Sequence, residues 1–234
     1  MTDFADPSMI LPVDPVDAVT RGNLDVYLPE TERPAPCVLI LHGLFAEPPE
    51  VMPRQSSFFR DYASHLARRG LVAAVIDHDL TEGLRVPQAV ATVAQAVEVL
   101  RNQPEADGDE VGLWFFSGGG VLSYPFLAKP EPWLRCVELT YPMLPADEFP
   151  EWPTVDEVIS GASSVPTYFT VVENEVPIFA PDQKAFVERA QKAGIPVTVN
   201  LVPGAEHGFD VFDERSEARD AVAAGIDWIV KTLG

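Results

Sequence analysis

Short apolar runs alternate along this chain with longer segments whose apolar residues recur at helical spacing. Residues 38–41 (VLIL) and 111–116 (VGLWFF) are strand-sized and nearly continuous, as expected of strands buried on both faces. Residues 58–67 and 87–102 instead place their apolar side chains on one face of a helix. Strands that alternate with helices in this way predict an α/β fold, in which helices cover both faces of a mostly parallel sheet.

The same patterns predict the other elements. An edge strand or hairpin arm is expected at 18–28, strands at 71–76, 134–140, 167–172 and 197–202, and helices at 181–193 and 216–232. A chain of 234 residues, 47% of them apolar, suits one domain covering residues 1–234. Residues 142–165 are rich in proline and acidic residues and lack a sustained period, so we expect a short lid there.

Charge limits the partners that this chain can have. Thirty-six acidic residues against 16 basic ones give a formal charge of −20, which repels nucleic acid and anionic membrane surfaces. No apolar run approaches the roughly 20 residues of a membrane-spanning helix. The N-terminus carries Asp3 and Asp6 without a basic and apolar leader, so a cytoplasmic location is expected. In that compartment Cys37 and Cys136 should be free, buried thiols.

The motif VGLWFFSGGG joins a strand to a glycine-flanked serine and then to a helix expected to begin near Gly119. A serine in such a turn projects its hydroxyl above the carboxyl end of the sheet, and the next N–H can point at a developing oxyanion. Ser117 is therefore the candidate nucleophile and Gly118 a candidate oxyanion donor. Phe115 occupies a position where a small residue normally relieves crowding between strand and helix. A glycine-rich turn with a helix-capping serine is the alternative interpretation.

A histidine follows the last predicted strand, in the sequence PGAEHGFD. Serine needs an adjacent base to become nucleophilic near neutral pH, and His207 is in a loop from which it can reach Ser117. The other histidines fit less well. His42 lies in an HG turn, His65 lies within a predicted helix, and His78 ends an early strand, where it could line the site.

Acidic residues end the strand that begins at Thr167, in the sequence TVVENEVP. A carboxylate here would hold the imidazole in the required tautomer and stabilise its charged form. Glu175 is favoured because it lies beyond the apolar strand, in the loop. Glu173 is the main rival and Asp182 a more distant one, and all three could equally be solvated loop acids.

Ser117, Glu175 and His207 each follow a successive strand, in the order expected of an α/β-hydrolase. Over nearly its full length the chain resembles that superfamily, and within it the compact dienelactone-hydrolase and esterase-like members. The HG at 42 and 43 resembles the family's oxyanion loop, which implies the N–H of Leu44 as a second oxyanion donor. Dienelactone hydrolases proper have a cysteine at the nucleophile position, so their substrate does not transfer to a chain with Ser117.

The resemblance implies a serine hydrolase that cleaves a small-molecule ester or lactone through an acyl-enzyme, with no metal or organic cofactor. Apolar walls are expected from Leu44, Phe45, Phe209 and the segment 142–152. A protein of this fold that binds a small ligand without turning it over is the alternative, as is an acyltransferase or peptidase with the same triad. The sequence leaves room for a homodimer.

Overall fold

A mixed sheet forms the centre of the molecule. The structure is a computed structural model that describes residues 6–44, 49–78, 85–144 and 152–234. Within these residues the strands are β1 (Ala18–Arg21), β2 (Leu24–Tyr27), β3 (Ala35–Leu41), β4 (Val72–Ile76), β5 (Ala106–Phe116), β6 (Leu134–Thr140), β7 (Thr167–Asn174) and β8 (Val197–Glu206). The predicted strands are confirmed, and the segment 18–28 forms the hairpin β1–β2.

The order of strands creates the place where a site can form. The sheet runs β1-β2-β4-β3-β5-β6-β7-β8, antiparallel where β2 joins β1 and β4 and parallel from β4 to β8. The chain moves from β3 outward to β4, but from β5 it moves the opposite way to β6. The carboxyl ends of β3 and β5 therefore flank the point where the strand order reverses, and open α/β sheets bind their ligands at such a point.

Helices cover both faces, as predicted. They are α1 (Ser57–Ala67), α2 (Val86–Arg101), α3 (Ser123–Ala128), α4 (Val155–Gly161), α5 (Ala180–Ala193), α6 (Phe209–Phe212) and α7 (Ser216–Leu233). Helices α2 to α5 contribute to one core cluster and α1, α6 and α7 to the other. Along β5, Leu113 and Phe115 face the first cluster while Trp114 and Phe116 face the second. This alternation explains why the strand sequence is continuously apolar.

Local signals in the sequence fix several helix boundaries. The hydroxyl of Ser56 accepts a hydrogen bond from the N–H of Phe59 and caps α1. Helix α5 is capped at its C-terminus by Gly194, which has a φ of 70°, the left-handed conformation that glycine adopts without strain. The predicted bounds of α2, α5 and α7 agree with the structure to within one or two residues.

Part of the expected lid is helical. Helix α4 begins with a capping box, in which Thr154 and Glu157 exchange side-chain to backbone hydrogen bonds. Its buried residues, Val158 and Ile159, pack into the core cluster that α3 and α5 share. Residues 145–151 lie outside the described residues, so a lid over the site stays a prediction.

The remaining sequence expectations concern the thiols and the membrane. Cys37 and Cys136 are free and buried, as predicted. Burial raises the pKa of the Cys37 thiol to about 12, which keeps it protonated and unreactive. Within the described ranges, no helix combines the length and the apolar character needed to cross a bilayer.

Candidate active site

Ser117 follows the last residue of β5 and holds a backbone conformation that is rare for its residue type. Its φ is 48°, in the left-handed region that favours glycine. The surrounding structure must hold this residue, because such a conformation costs on the order of 1–3 kcal/mol and persists only where packing enforces it. The result is a sharp turn that lifts the hydroxyl above the carboxyl end of the sheet, as the motif predicts.

The three glycines after Ser117 bring this turn close to its neighbours. A Cβ atom on Gly118 would lie 2.6 Å from the nitrogen of Leu44, and one on Gly120 would lie 2.7 Å from the carbonyl oxygen of Met143. On Gly119 a Cβ atom would overlap the carbonyl oxygen of His42. Every one of these contacts involves backbone atoms, which move less readily than side chains. Glycine is therefore required for packing at all three positions.

Phe115 fits beside the turn because the α-helix starts late. A 3-10 helix spans Ser117–Leu122, and α3 begins only at Ser123 rather than near Gly119. The ring of Phe115 is fully buried and packs against that of Phe126 in α3, with ring centroids 6.4 Å apart. The expected crowding is relieved by this displacement of the helix.

His207 follows β8 and reaches Ser117. Its Nε2 lies 2.7 Å from the Ser117 Oγ, and its Nδ1 lies 2.7 Å from Oε1 of Glu175. An ionised carboxylate can only accept hydrogen bonds, so Nδ1 carries the proton. Nε2 is then the acceptor, and the serine hydroxyl donates to it. The three residues singled out in the sequence are thus joined by one chain of hydrogen bonds.

Glu175 follows β7 and is held by three donors. Besides His207, the N–H of Val176 donates to Oε1 at 2.7 Å, and Nε2 of Gln183 donates to Oε2 at 2.8 Å. Only 3% of the Glu175 side chain is exposed. Its rival Glu173 is exposed and accepts instead from the N–H of Gly204. Asp182, the third candidate, lies in the first turn of α5.

The backbones of Leu44 and Gly118 lie next to each other beside Ser117, where the resemblance predicts the oxyanion hole. A Cβ atom on Gly118 would lie only 2.6 Å from the nitrogen of Leu44, which shows how closely the two backbones approach each other. Gly43 is also close, since a Cβ atom on it would lie 3.4 Å from the Ser117 hydroxyl oxygen. The arrangement fits the two-amide oxyanion hole that the resemblance implies.

Two buried histidines brace the turn that carries Leu44. The rings of His42 and His78 stack with centroids 3.7 Å apart. Nδ1 of His42 donates to the carbonyl of Gly43 at 2.7 Å, and its Nε2 accepts from the N–H of His78. Burial lowers the pKa of His42 to about 4, so its ring is neutral near pH 7. His78 is buried here and lies outside the lining of the cavity beside Ser117.

A second carboxylate, which the sequence analysis missed, lies close to His207. Asp210 is fully buried and accepts hydrogen bonds from the hydroxyls of Tyr62 and Tyr141, each at 2.7 Å. Burial raises the pKa of Asp210 to about 6. The ring centroids of Tyr141 and His207 lie 4.6 Å apart. The backbone of Tyr141 has a φ of 36°, in the left-handed region. The only available signal was the acidic residue in HGFD, since the two tyrosines are distant in sequence.

A cavity of about 300 Å³ opens beside Ser117. Its walls include the rings of Phe58, Phe59, Phe116 and Tyr141, with Leu44 among the aliphatic residues. This is the low end of the usual size of ligand pockets.

Phe209 and the described residues of the expected wall segment 142–152 do not line this cavity, whereas the expectation for Phe45 stays a prediction. Phe209 is buried in the core, with its ring 6.0 Å from that of Tyr141, and the cavity is lined there by Gly208 and Val211. Phe45 lies outside the described residues.

Solved structures of an esterase and of a putative dienelactone hydrolase are similar to this chain. Esterase 2 of Thermogutta terrifontis, phosphoramylated by tabun, matches with a TM-score of 0.71 at 18% identity, over 99% of this chain and 96% of that one. A putative dienelactone hydrolase from Klebsiella pneumoniae matches with a TM-score of 0.68 at 16% identity, over 93% and 98%. At these identities the likeness shows the fold, which is that of the α/β-hydrolases. A search of the curated proteins gave no match.

A family model provides the stronger assignment. The model of the dienelactone hydrolase family matches residues 75–233, which is more than half of the chain. The match includes Ser117, Glu175 and His207, whereas Leu44 precedes it. The chain therefore belongs to the dienelactone hydrolase family.

Proposed function

We propose that this protein is a serine hydrolase that cleaves a small-molecule ester or lactone through an acyl-enzyme intermediate. The observation that carries the proposal is the unbroken chain of hydrogen bonds from Ser117 through His207 to Glu175, with 2.7 Å at each step. A helix-capping serine would not need an imidazole and a buried carboxylate arranged behind it. Membership of a hydrolase family supports the same class of reaction.

Acylation begins with removal of the serine proton. As Oγ of Ser117 attacks the carbonyl carbon, Nε2 of His207 accepts the hydroxyl proton, and the carbonyl oxygen becomes an oxyanion. The amides of Gly118 and Leu44 stabilise that charge. The imidazolium then protonates the leaving alcohol, and the acyl group stays on the serine as an ester.

Glu175 makes His207 an effective base. Its carboxylate accepts the Nδ1 proton, which leaves Nε2 free to receive the proton of the serine hydroxyl. The same carboxylate stabilises the imidazolium that forms during the attack. Because Glu175 is buried and fixed by Val176 and Gln183, it is preorganised for this role.

Water completes the reaction. His207 accepts a proton from a water molecule as the water attacks the acyl-enzyme, and the protonated histidine then returns a proton to Oγ of Ser117. The His207 side chain is 22% exposed, so water can approach it. The product is a carboxylic acid. Structures of the related esterase 2 of Thermogutta terrifontis with propionate and with butyrate bound are consistent with a short acyl group.

The test combines turnover with active-site labelling. Wild type, Ser117→Ala and His207→Ala are assayed with 4-nitrophenyl esters of two to eight carbons, and His65→Ala serves as a histidine control in α1. Wild type is also treated with a fluorophosphonate, and the labelled peptide is identified by mass spectrometry. Ser56 is an internal control, because it lines the same cavity but its hydroxyl donates to the carbonyl of Pro53.

We expect turnover by wild type and the His65 variant, background rates for the other two variants, and a label on Ser117 alone. If wild type hydrolyses none of the esters and takes up no label, Ser117 is not activated. The protein would then be a ligand-binding member of the fold, and the proposal would be wrong.

A further inference from the structure

The cavity beside Ser117 has no positively charged wall. Among the described residues that line it there is no lysine or arginine, and His207 belongs to the triad. The stretches outside the described residues, 1–5, 45–48, 79–84 and 145–151, contain no lysine, arginine or histidine in their sequence. None of those stretches could therefore supply a cationic side chain to the cavity.

The polar groups in the walls are already used within the protein. The hydroxyl of Ser56 donates to the carbonyl of Pro53 at 2.8 Å. The hydroxyl of Tyr141 donates to Oδ1 of Asp210 at 2.7 Å. Apart from Ser117 itself and the oxyanion amides, the walls therefore offer little hydrogen bonding to a substrate.

Among the described lining residues, one charged side chain stands apart from the triad, and it is negative. Asp6 accepts hydrogen bonds from the N–H and the hydroxyl of Ser57, at 2.6 and 2.7 Å. Arg54, next to the lining residue Pro53, is an adjacent cation, but it donates to the carboxylates of Asp25 and Asp77. A second nearby cation, Arg60, donates to the hydroxyl of Ser57 at 3.1 Å and to Asp61 at 3.5 Å. Both arginines are therefore engaged by groups of the protein, and neither is among the residues that line the cavity.

An exposed apolar side chain also belongs to the cavity wall. Leu44 lines the cavity and is 38% exposed, although its side chain is large and apolar. With Val51, Val211 and the aromatic rings, it gives the described part of the wall a mainly apolar surface. Such a surface favours apolar ligands.

We propose that this site selects uncharged esters with apolar substituents and rejects esters that carry a carboxylate on the acyl chain or on the alcohol. The inference rests on the proposed function and defines its substrate class. An anionic substituent in this cavity would lose its hydration, find no cation in exchange, and lie in the field of Asp6. An apolar substituent would instead bury its surface against phenylalanine rings.

The test compares substrates that differ in charge and otherwise by one methyl group, which by itself changes binding only about fourfold. The first pair is 4-nitrophenyl hydrogen adipate and its methyl ester, which share the leaving group and differ at the far end of the acyl chain. The second pair is 4-acetoxybenzoate and its methyl ester, which places the charge on the alcohol side. Each kcat/KM at pH 7.5 is normalised to the rate of hydrolysis of that substrate by hydroxide.

The expected preference for the neutral member is about 100-fold in at least one pair, as follows from an unpaired charge in an apolar pocket. A normalised preference below about tenfold in both pairs would overturn the inference. Val51→Lys adds a cation to the wall and should reduce the preference at least fivefold, whereas Val51→Met, of similar length without charge, should keep it. An unchanged preference in a folded Val51→Lys enzyme would also count against the inference.

If the protein is not a serine hydrolase, the assays give a result that differs from a mere loss of selectivity. In that case neither member of either pair is hydrolysed and the fluorophosphonate labels nothing, so both proposals fall together. Turnover of both members at equal normalised rates, with labelling of Ser117, would leave the hydrolase intact and remove only the selectivity.

Discussion

Replacing Glu175 with glutamine tests which acid supports the imidazole. The carboxylate receives three N–H groups, from His207, Val176 and Gln183, so both of its oxygens act as acceptors. A glutamine has one acceptor oxygen and one NH₂ group. If the NH₂ group faces His207, Nδ1 must give up its proton and Nε2 becomes a donor that cannot accept the proton of Ser117. If it faces Gln183, two donors oppose each other.

The size of the effect follows from this tautomer argument. In a serine protease, the same loss of an acceptor behind the histidine lowers kcat about 10⁴-fold. We expect a fall of about 10³- to 10⁴-fold for Glu175→Gln, which corresponds to about 4–5.5 kcal/mol at about 1.36 kcal/mol per factor of ten. KM should change little, because the cavity walls do not include Glu175.

The matched control is Glu173→Gln, the same chemical change two residues earlier. Glu173 is exposed and accepts from the N–H of Gly204, a bond that a glutamine oxygen can also accept. Its kcat should stay within about twofold of wild type, as is usual for surface substitutions. Initial rates with 4-nitrophenyl acetate and thermal denaturation are measured for both variants. The assignment of Glu175 would be refuted if its variant kept a tenth of the activity, or if the two variants lost equal amounts.

Three further predictions concern packing and pH. Gly118→Ala should lower kcat by about 10²-fold, because its Cβ would overlap the backbone of Leu44 and displace the amide; a variant that keeps wild-type kcat would refute the oxyanion role, and thermal denaturation measures the stability that the overlap costs. Gly119→Ala should lower the free energy of unfolding by about 1–3 kcal/mol, because its Cβ overlaps the backbone of His42; an unchanged melting temperature in thermal denaturation would contradict this. The pKa of Asp210 is raised from 3.8 to about 6 by burial, so the folded state binds its proton more tightly than the unfolded chain does. The contribution of Asp210 to stability should therefore fall by about 2 kcal/mol as the pH rises from 4 to 7, and urea denaturation should show that Asp210→Asn lacks this fall.

Much of the architecture could be predicted because it depends on local sequence. The continuous apolar runs of β3 and β5 indicate strands that are covered on both faces, and the helical spacing of α1 and α2 indicates one buried face each. The order of Ser117, Glu175 and His207 could also be predicted, since each follows a strand and parallel strands bring their carboxyl ends to one edge. These inferences need only the period of apolar residues and the position of a residue along its own element.

Contacts between distant elements could not be predicted in the same way. Asp210 meets Tyr62 and Tyr141 across 148 and 69 residues of sequence, and no periodicity links those positions. The late start of α3, which makes room for Phe115, depends on how the three glycines pack against the loops after β3 and β6. Both features arise from the arrangement of whole elements in space.

The sequence by itself determined the alternation of strands and helices, the turn at Ser117 and the two acids that could support the histidine, since these depend on residue type and spacing. Tertiary structure alone decided between the acids. Glu173 and Glu175 lie at the end of the same strand, but the chain turns after Asn174, so that Glu175 becomes buried against His207 and Gln183 while Glu173 stays in solvent. That outcome depends on the register of β7 with β8, where the pairing shifts between Val172 and Asn174, and on the packing of α5. Both are contacts between distant parts of the chain, so the local sequence around the two glutamates does not determine them.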